Sequence, residues 1–255
     1  MKKLLIILLC SFSLSAFSQN DSLYAMKNIV IIHSFSIDSN HIDSIISYRP
    51  NITTPSITDA DGNVYTSVTI GTQEWMSENL RTTKYSDGAA IPNITDNTAW
   101  SNLSTGAWSY HNNSGSNDAT YGKLYNWYAV ETGKLCPTGW HVPTDAEWTV
   151  LKDYLTADGH IGSEGKALKA TSGWGDGYEG VSGIGTDDYG WKGLPGGGRD
   201  SNGDFYSIGG LGGWWSSSQR LTNSAWLRGL GYGDGIVARD SANKGDGFSV
   251  RCLRD

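Results

Sequence analysis

No stretch of this chain holds the ~18 consecutive apolar residues that a membrane-spanning helix needs, so no transmembrane segment is expected in the mature protein. No block of lysine and arginine is present either. With a net charge of −7, the chain offers no electrostatic footprint for nucleic acid or anionic lipid. Charged residues reach 18% and hydrophobic residues 38%, both below usual globular values. The Ala, Glu, Lys and Leu richness of a coiled coil or long helical bundle is missing. Only 5 residues are Phe, so the aromatic share of 11% rests on 11 Trp and 13 Tyr. A disordered chain lacks such residues, which excludes disorder.

What is abundant is glycine, at 33 of 255 residues, or about 13%, nearly twice the usual share. With the Trp and Tyr content this describes a loop-rich globular protein with an aromatic core. The first residues read as a targeting segment. Lys2 and Lys3 form a basic start, Leu4 to Leu9 an apolar run, and Ala16-Phe17-Ser18 places small residues at the two cleavage-defining positions. Residues 1–18 are therefore expected to be a signal peptide, cut before Gln19. Lipoprotein processing at Cys10 is not expected, because the preceding residue is Leu9 rather than a small one. Removal takes two lysines and no acidic residue, moving the charge from −7 to −9. It also leaves two cysteines, Cys136 and Cys252. In an exported protein that pair reads as one disulfide.

Residues 19–56 form a short leader element and linker, with a strand candidate at Ile29–Ile32 and a second apolar run from Ile42 to Tyr48. The main domain spans 57–255. It opens on turn chemistry at Asp61-Gly62-Asn63, followed by a hairpin of Val64–Ile70 and Gln73–Met76. Pro143-Thr144-Asp145-Ala146-Glu147-Trp148 predicts a helix start with Thr144 and Glu147 as a capping box. Trp148, Leu151 and Leu155 continue at helical spacing, and Asp158-Gly159 should end it. Residues 158–213 carry 19 glycines in 56 positions, a density read as packed loops, including Gly196–Arg199. Strands are expected at Trp214–Ser218, Ser224–Leu230, Ile236–Ala238 and Phe248–Leu253.

Taken together, Gly139-Trp140-His141-Val142-Pro143-Thr144-Asp145-Ala146-Glu147-Trp148, Trp214-Trp215-Ser216-Ser217-Ser218 and Gly247-Phe248-Ser249-Val250-Arg251-Cys252-Leu253-Arg254-Asp255 resemble the Fibrobacter succinogenes major paralogous domain. So do Leu135-Cys136-Pro137 and Asp61-Gly62-Asn63-Val64-Tyr65. The resemblance implies an exported protein of Bacteroidetes-type bacteria, of a family without an established biochemical function. The helix start and the terminal Gly-Phe-x-x-Arg-Cys strand are also similar to the C-type lectin-like superfamily, which includes formylglycine-generating enzymes and retroelement variable proteins. The fold implied is α+β and C-type lectin-like, with paired terminal strands, one or two helices and long Gly-rich packed loops. A Cys136–Cys252 bond suits it, tying the segment before the helix to the last strand.

Catalytic chemistry finds little support. Formylglycine generation needs a pair of active-site cysteines, and both mature cysteines belong to the disulfide. His111, His141 and His160 form no close pair, and no HExxH or CxxC occurs. Ser216-Ser217-Ser218 is not a Gly-x-Ser-x-Gly elbow. Asp187-Asp188 is an adjacent carboxylate pair, too weak a signal for glycoside hydrolysis. Asp200-Ser201-Asn202-Gly203-Asp204 looks partly like a calcium loop but lacks the distal Glu. No cofactor is expected, and a calcium ion, if bound, would be structural.

The resemblance to the retroelement variable proteins places a ligand surface just before the terminal strand, here about 219–246. That window carries Trp226, Arg228, Tyr232, Asp234, Arg239 and Asp240. Trp, Tyr and Arg are the residue types of binding hot spots, and aromatic with carboxylate suits stacking on sugars. Alternation places Trp226 and Arg228 on one strand face. Each also has a structural reading, Trp226 as a core residue and Arg228 as a salt-bridge partner. The expected function is non-catalytic binding of a glycan or extracellular protein by a secreted or cell-surface module. The alternatives are a polysaccharide-active enzyme and a structural surface component.

Overall fold

A computed structural model describes residues 57–175 and 182–255 in full, together with the backbone of Ser15–Gln19, Ser22–Lys27 and Val30–Ser36. The chain divides into two units, Met1–Thr53 and Thr54–Asp255. In the first, those three strands form an antiparallel meander. The third overlaps the strand candidate at Ile29–Ile32. The cleavage expected before Gln19 falls inside the first strand. The Lys2–Leu9 start of the targeting segment, Cys10 and the Ile42–Tyr48 run lie outside the described residues.

The second unit is α+β, with most of its order in sheets. In a four-stranded antiparallel sheet the order is Trp140–His141, Leu253–Arg254, Gln73–Met76, Ser67–Ile70. The hairpin near the start of this unit thus pairs with the last strand, Trp75 opposite Leu253. A larger sheet of eight strands runs from Ala238–Asn243 through Ser224–Gly231, Leu211–Leu221, Gly196–Arg199, Gly247–Phe248 and Leu124–Asn126 to Trp108–Ser109, with Phe205–Ile208 attached to Gly196–Arg199. The helix Asp145–Ala157 begins at Thr144, whose capping box with Glu147 is complete. Capping satisfies amide groups that would otherwise lack partners. Trp148, Leu151 and Leu155 form its buried stripe. Four shorter helices are present among the described residues, where the sequence predicts one or two helices in all.

Two hydrophobic clusters make the core. One gathers Trp127, Trp215, Phe248, Val250 and both cysteines; the other gathers Trp75, Trp148, Trp191, Trp214 and Leu230. The Ser224–Gly231 strand lies between them. Ala225 and Leu227 enter the first cluster and Leu230 the second, as alternation of side chains requires. The terminal motif joins the two sheets. Ser249 exchanges backbone hydrogen bonds with Gly213 and Trp215, while Val250 and Cys252 accept from Leu80 and Met76. The strand expected over Phe248–Leu253 is therefore divided between the sheets. The strand expected at Ile236–Ala238 lies further along, at Ala238–Asn243. Cys136 and Cys252 are bonded, with their Cα atoms 6.0 Å apart.

The glycine-rich segment departs furthest from expectation. It contains a helix, Glu164–Leu168, and two strands, Gly196–Arg199 and Phe205–Ile208. The Gly196–Arg199 strand is wholly buried, because neighbouring groups stand where side chains would be. A Cβ on Gly197 (φ +67°) would lie 2.4 Å from the Tyr206 carbonyl oxygen. Gly197→Ala should therefore cost roughly 1–3 kcal/mol through strain and overpacking. Chemical denaturation would read this as a lower midpoint at unchanged slope.

Candidate functional site

The Ser224–Gly231 strand and its neighbours decide which of the expected ligand residues meet. Trp226 pairs across the ladder with Ser241, and Arg228 with Arg239. Directly opposite residues share a sheet face, so Trp226, Arg228, Arg239 and Ser241 lie on one side. This is also the side of Leu230 and the main helix. Arg228 is buried beneath the start of the helix, while the Trp226 indole is half-buried.

The first helical residue, Asp145, organises this face. Arg228 donates from Nη1 to Asp145 Oδ1 at 2.6 Å, and from Nη2 to the Asp145 carbonyl at 3.0 Å and Thr149 Oγ1 at 3.2 Å. Arg239 grips the same carboxylate through Nε and Nη2, the latter at 2.8 Å. Its guanidinium also lies 3.5 Å from the centre of the Trp226 ring, and that of Arg220 lies 4.9 Å from it. Arg220 donates to Ser241 Oγ. Burial alone would raise the Asp145 carboxyl, but the hydrogen bonds from Arg239 and Arg228 outweigh it and hold the group below its ordinary value. Burial lowers Arg228, against the pull of Asp145.

Arg228 is thus fixed inside the framework, with only 2% of its side chain exposed. Its salt bridge removes it from direct ligand contact and makes it a support for Asp145 and Arg239. Arg239 is exposed. Tyr232, Asp234 and Asp240 do not join the group. Tyr232 and Asp234 follow the far end of the strand, where Tyr232 packs against the second core cluster. Lys169 Nζ ties that turn down through the carbonyls of Gly231 and Asp234. Asp240 pairs with Leu227, which puts it on the opposite face. The residues missed from sequence are Asp145 and Arg220. Asp145 read locally as a helix-start acid, and Arg220 is separated from Trp226 by a hairpin turn.

Other groups with chemical potential have structural partners. Arg199 is fully buried, and its guanidinium is held by the carbonyls of Ile94, Thr95 and Gly203 and by Asn97 Oδ1. In the neighbouring calcium-like loop, Asp200 Oδ1 accepts the amides of Asn202 and Asp204 as an Asx turn does. Among the described residues, no group of three or more His, Cys, Asp or Glu is placed to hold a metal ion. Ser218 Oγ accepts the Asp145 amide, and Ser216 Oγ the Ser218 amide.

His141 sits between two carboxylates, with Nδ1 2.7 Å from Asp255 and Nε2 3.1 Å from Glu147. They border a shallow cleft of about 290 Å³ with Glu74 and Arg254. Burial would lower the imidazole, but the bonds to Asp255 and Glu147 raise it above its ordinary 6.5. A raised folded-state value means the stabilisation is complete below pH ~6.5, where both states are protonated, and is lost as pH rises through the folded value. His141→Gln should remove that part of the pH dependence of thermal stability. The expected effect is under ~1 kcal/mol, because a third of the ring is in solvent. Melting curves from pH 5 to 9 measure it. An unchanged slope in the variant would contradict the assignment.

The family model for the Fibrobacter succinogenes major domain matches residues 68–254, most of the chain. No curated protein and no solved structure matches the sequence.

Proposed function

The chain belongs to the Fibrobacter succinogenes major domain family, and from that premise we propose that it is an exported, non-catalytic binding module acting at or outside the cell surface, with a glycan or protein ligand. The observation that carries this reading is the pair of exposed arginines, Arg239 and Arg220, set against the half-buried Trp226 indole and held in place by the Arg228–Asp145 pair. Aromatic and Arg side chains fixed before a ligand arrives lose little entropy on binding, which is how few residues come to dominate an interface.

Three further features support it. The basic and apolar start with small residues before Gln19 fits export. A buried disulfide fits an oxidising compartment. The pairing of the Gln73–Met76 hairpin strand with Leu253–Arg254, the disulfide before the main helix and the long segments held between fit a C-type lectin-like arrangement.

Probing residues 19–255 on a glycan array, with and without EDTA, tests the reading beside Trp226→Ala and Arg239→Ala. Specific binding that both variants lose is the expected result, and EDTA sensitivity would add a calcium requirement. Binding kept by both variants would move the site elsewhere. Release of reducing ends from a bound polysaccharide would overturn the non-catalytic reading.

A further inference from the structure

Three guanidinium groups and a single carboxylate lie on the face around Trp226. Asp145 is divided between Arg228 and Arg239, and Arg220 has no carboxylate partner among the described residues. This cationic excess stands out on a chain whose net charge is −7. The nearest acid along the edge strand, Asp240, lies on the opposite face and accepts the Ser241 amide. We infer that the ligand recognised here carries a carboxylate or sulfate group, and that this surface takes an acidic glycan, an inference that rests on the binding role proposed above.

The geometry separates an anion receptor from a platform for neutral sugars. A neutral pyranose needs an open aromatic face. At Trp226 the Arg239 guanidinium lies 3.5 Å from the ring centre, so the group beside the indole is a planar cation. Its orientation is already set by two contacts, the indole and the Asp145 carboxylate. Nε and Nη2 of Arg239 are committed to Asp145, and Nη1 forms no bond among the described residues. On Arg220 only Nη1 is engaged, with Ser241 Oγ, leaving Nε and Nη2. Three guanidinium donors around one indole match the planar, multidentate acceptors of a carboxylate or sulfate.

The same surface fits an acidic protein less well. Protein interfaces have an apolar centre with charged residues depleted. Of the large hydrophobic residues that are exposed, only Leu221 belongs to the three strands that build this face. Its other neighbours are Ser241 and Thr149. A hydroxyl-lined cationic surface remains well hydrated, as expected where a polysaccharide chain is held.

The test measures binding of residues 19–255 to polygalacturonate, to its carboxyl-reduced neutral counterpart, to a sulfated galactan and to polyglutamate, at two salt concentrations. Arg220→Gln and Arg239→Gln are compared with wild type after melting curves show that both are folded. The expected result is at least about tenfold tighter binding of one or both anionic polysaccharides than of the neutral polymer. Salt should weaken it and each variant should lose most of it; the uronate and sulfate arms show which group is read. Equal binding of the neutral polymer would overturn the charge inference and leave the binding role standing. Tighter binding of polyglutamate by the same arginines would overturn the glycan assignment. Binding of none of these, together with an empty glycan array, would remove the inference and the glycan reading together.

Discussion

Replacing Cys136 and Cys252 with alanine lowers the melting temperature of the chain by about 10–20 °C. The bond closes a sequence separation of 116 residues, and the chain-entropy account assigns about 4–5 kcal/mol to a closure of that length. For a unit of this size each kcal/mol corresponds to about 2–4 °C. Location adds to the effect. Cys252 lies in the segment that hydrogen-bonds both sheets together, and the bond holds it to Cys136, just ahead of the Trp140–His141 strand and the main helix. Cys252 is fully buried, so dithiothreitol should leave the folded protein oxidised and act only as it unfolds. Calorimetry of wild type and double variant, with thiol titration at rising temperature, measures both. An unchanged melting temperature would mean that the two sheets hold each other without the covalent tie.

The second large effect is a separation of stability from binding at two arginines that share one carboxylate. Arg228→Met leaves Asp145 without its buried partner, and leaves the helix carbonyl and Thr149 hydroxyl without their donor. Arg239 still compensates Asp145, so the loss of these charge-assisted hydrogen bonds costs about 1.5–3 kcal/mol. Arg239→Met removes a partner on the solvent side, and such contacts contribute about 0–1 kcal/mol. Both variants should lose ligand binding, the first by freeing Asp145 and its neighbours, the second by deleting the contact. Urea denaturation with binding measured on the same samples reads both quantities. Equal destabilisation by the two substitutions would contradict the division into a framework arginine and a contact arginine.

Where residues act on near neighbours, the sequence foretold the structure. Thr144 and Glu147 stand three positions apart and form their capping box wherever the chain turns into a helix. Trp148, Leu151 and Leu155 bury one stripe for the same reason. Glycine density predicts a loop at Gly196–Arg199, but the structure forms a strand there because its glycines serve neighbours distant in sequence. Tyr206 and Phe248 occupy the space beside them, and nothing local announces that.

The ligand surface divides in the same way. Alternation placed Trp226 and Arg228 on one face, and the pairing of Arg228 with Arg239 completes it. That Arg228 would be consumed by an acid 83 positions earlier follows only from the packing of the helix on the sheet. Asp145 carries two roles, one local at the helix start and one distant at the strands, and only the first is legible in its surroundings. Nearness in sequence groups Tyr232 and Asp240 with Trp226. A strand end and a change of face separate them.

The claim that joins these observations is that ligand meets the protein at Trp226. Tryptophan indole N–H resonances report this directly, with the Trp226 signal assigned by its loss in Trp226→Phe. Titration with an acidic oligosaccharide should shift that signal in a saturable way and leave those of the buried Trp75, Trp148, Trp191 and Trp214 in place. Saturable shifts at other indoles with the Trp226 signal unmoved would contradict the account.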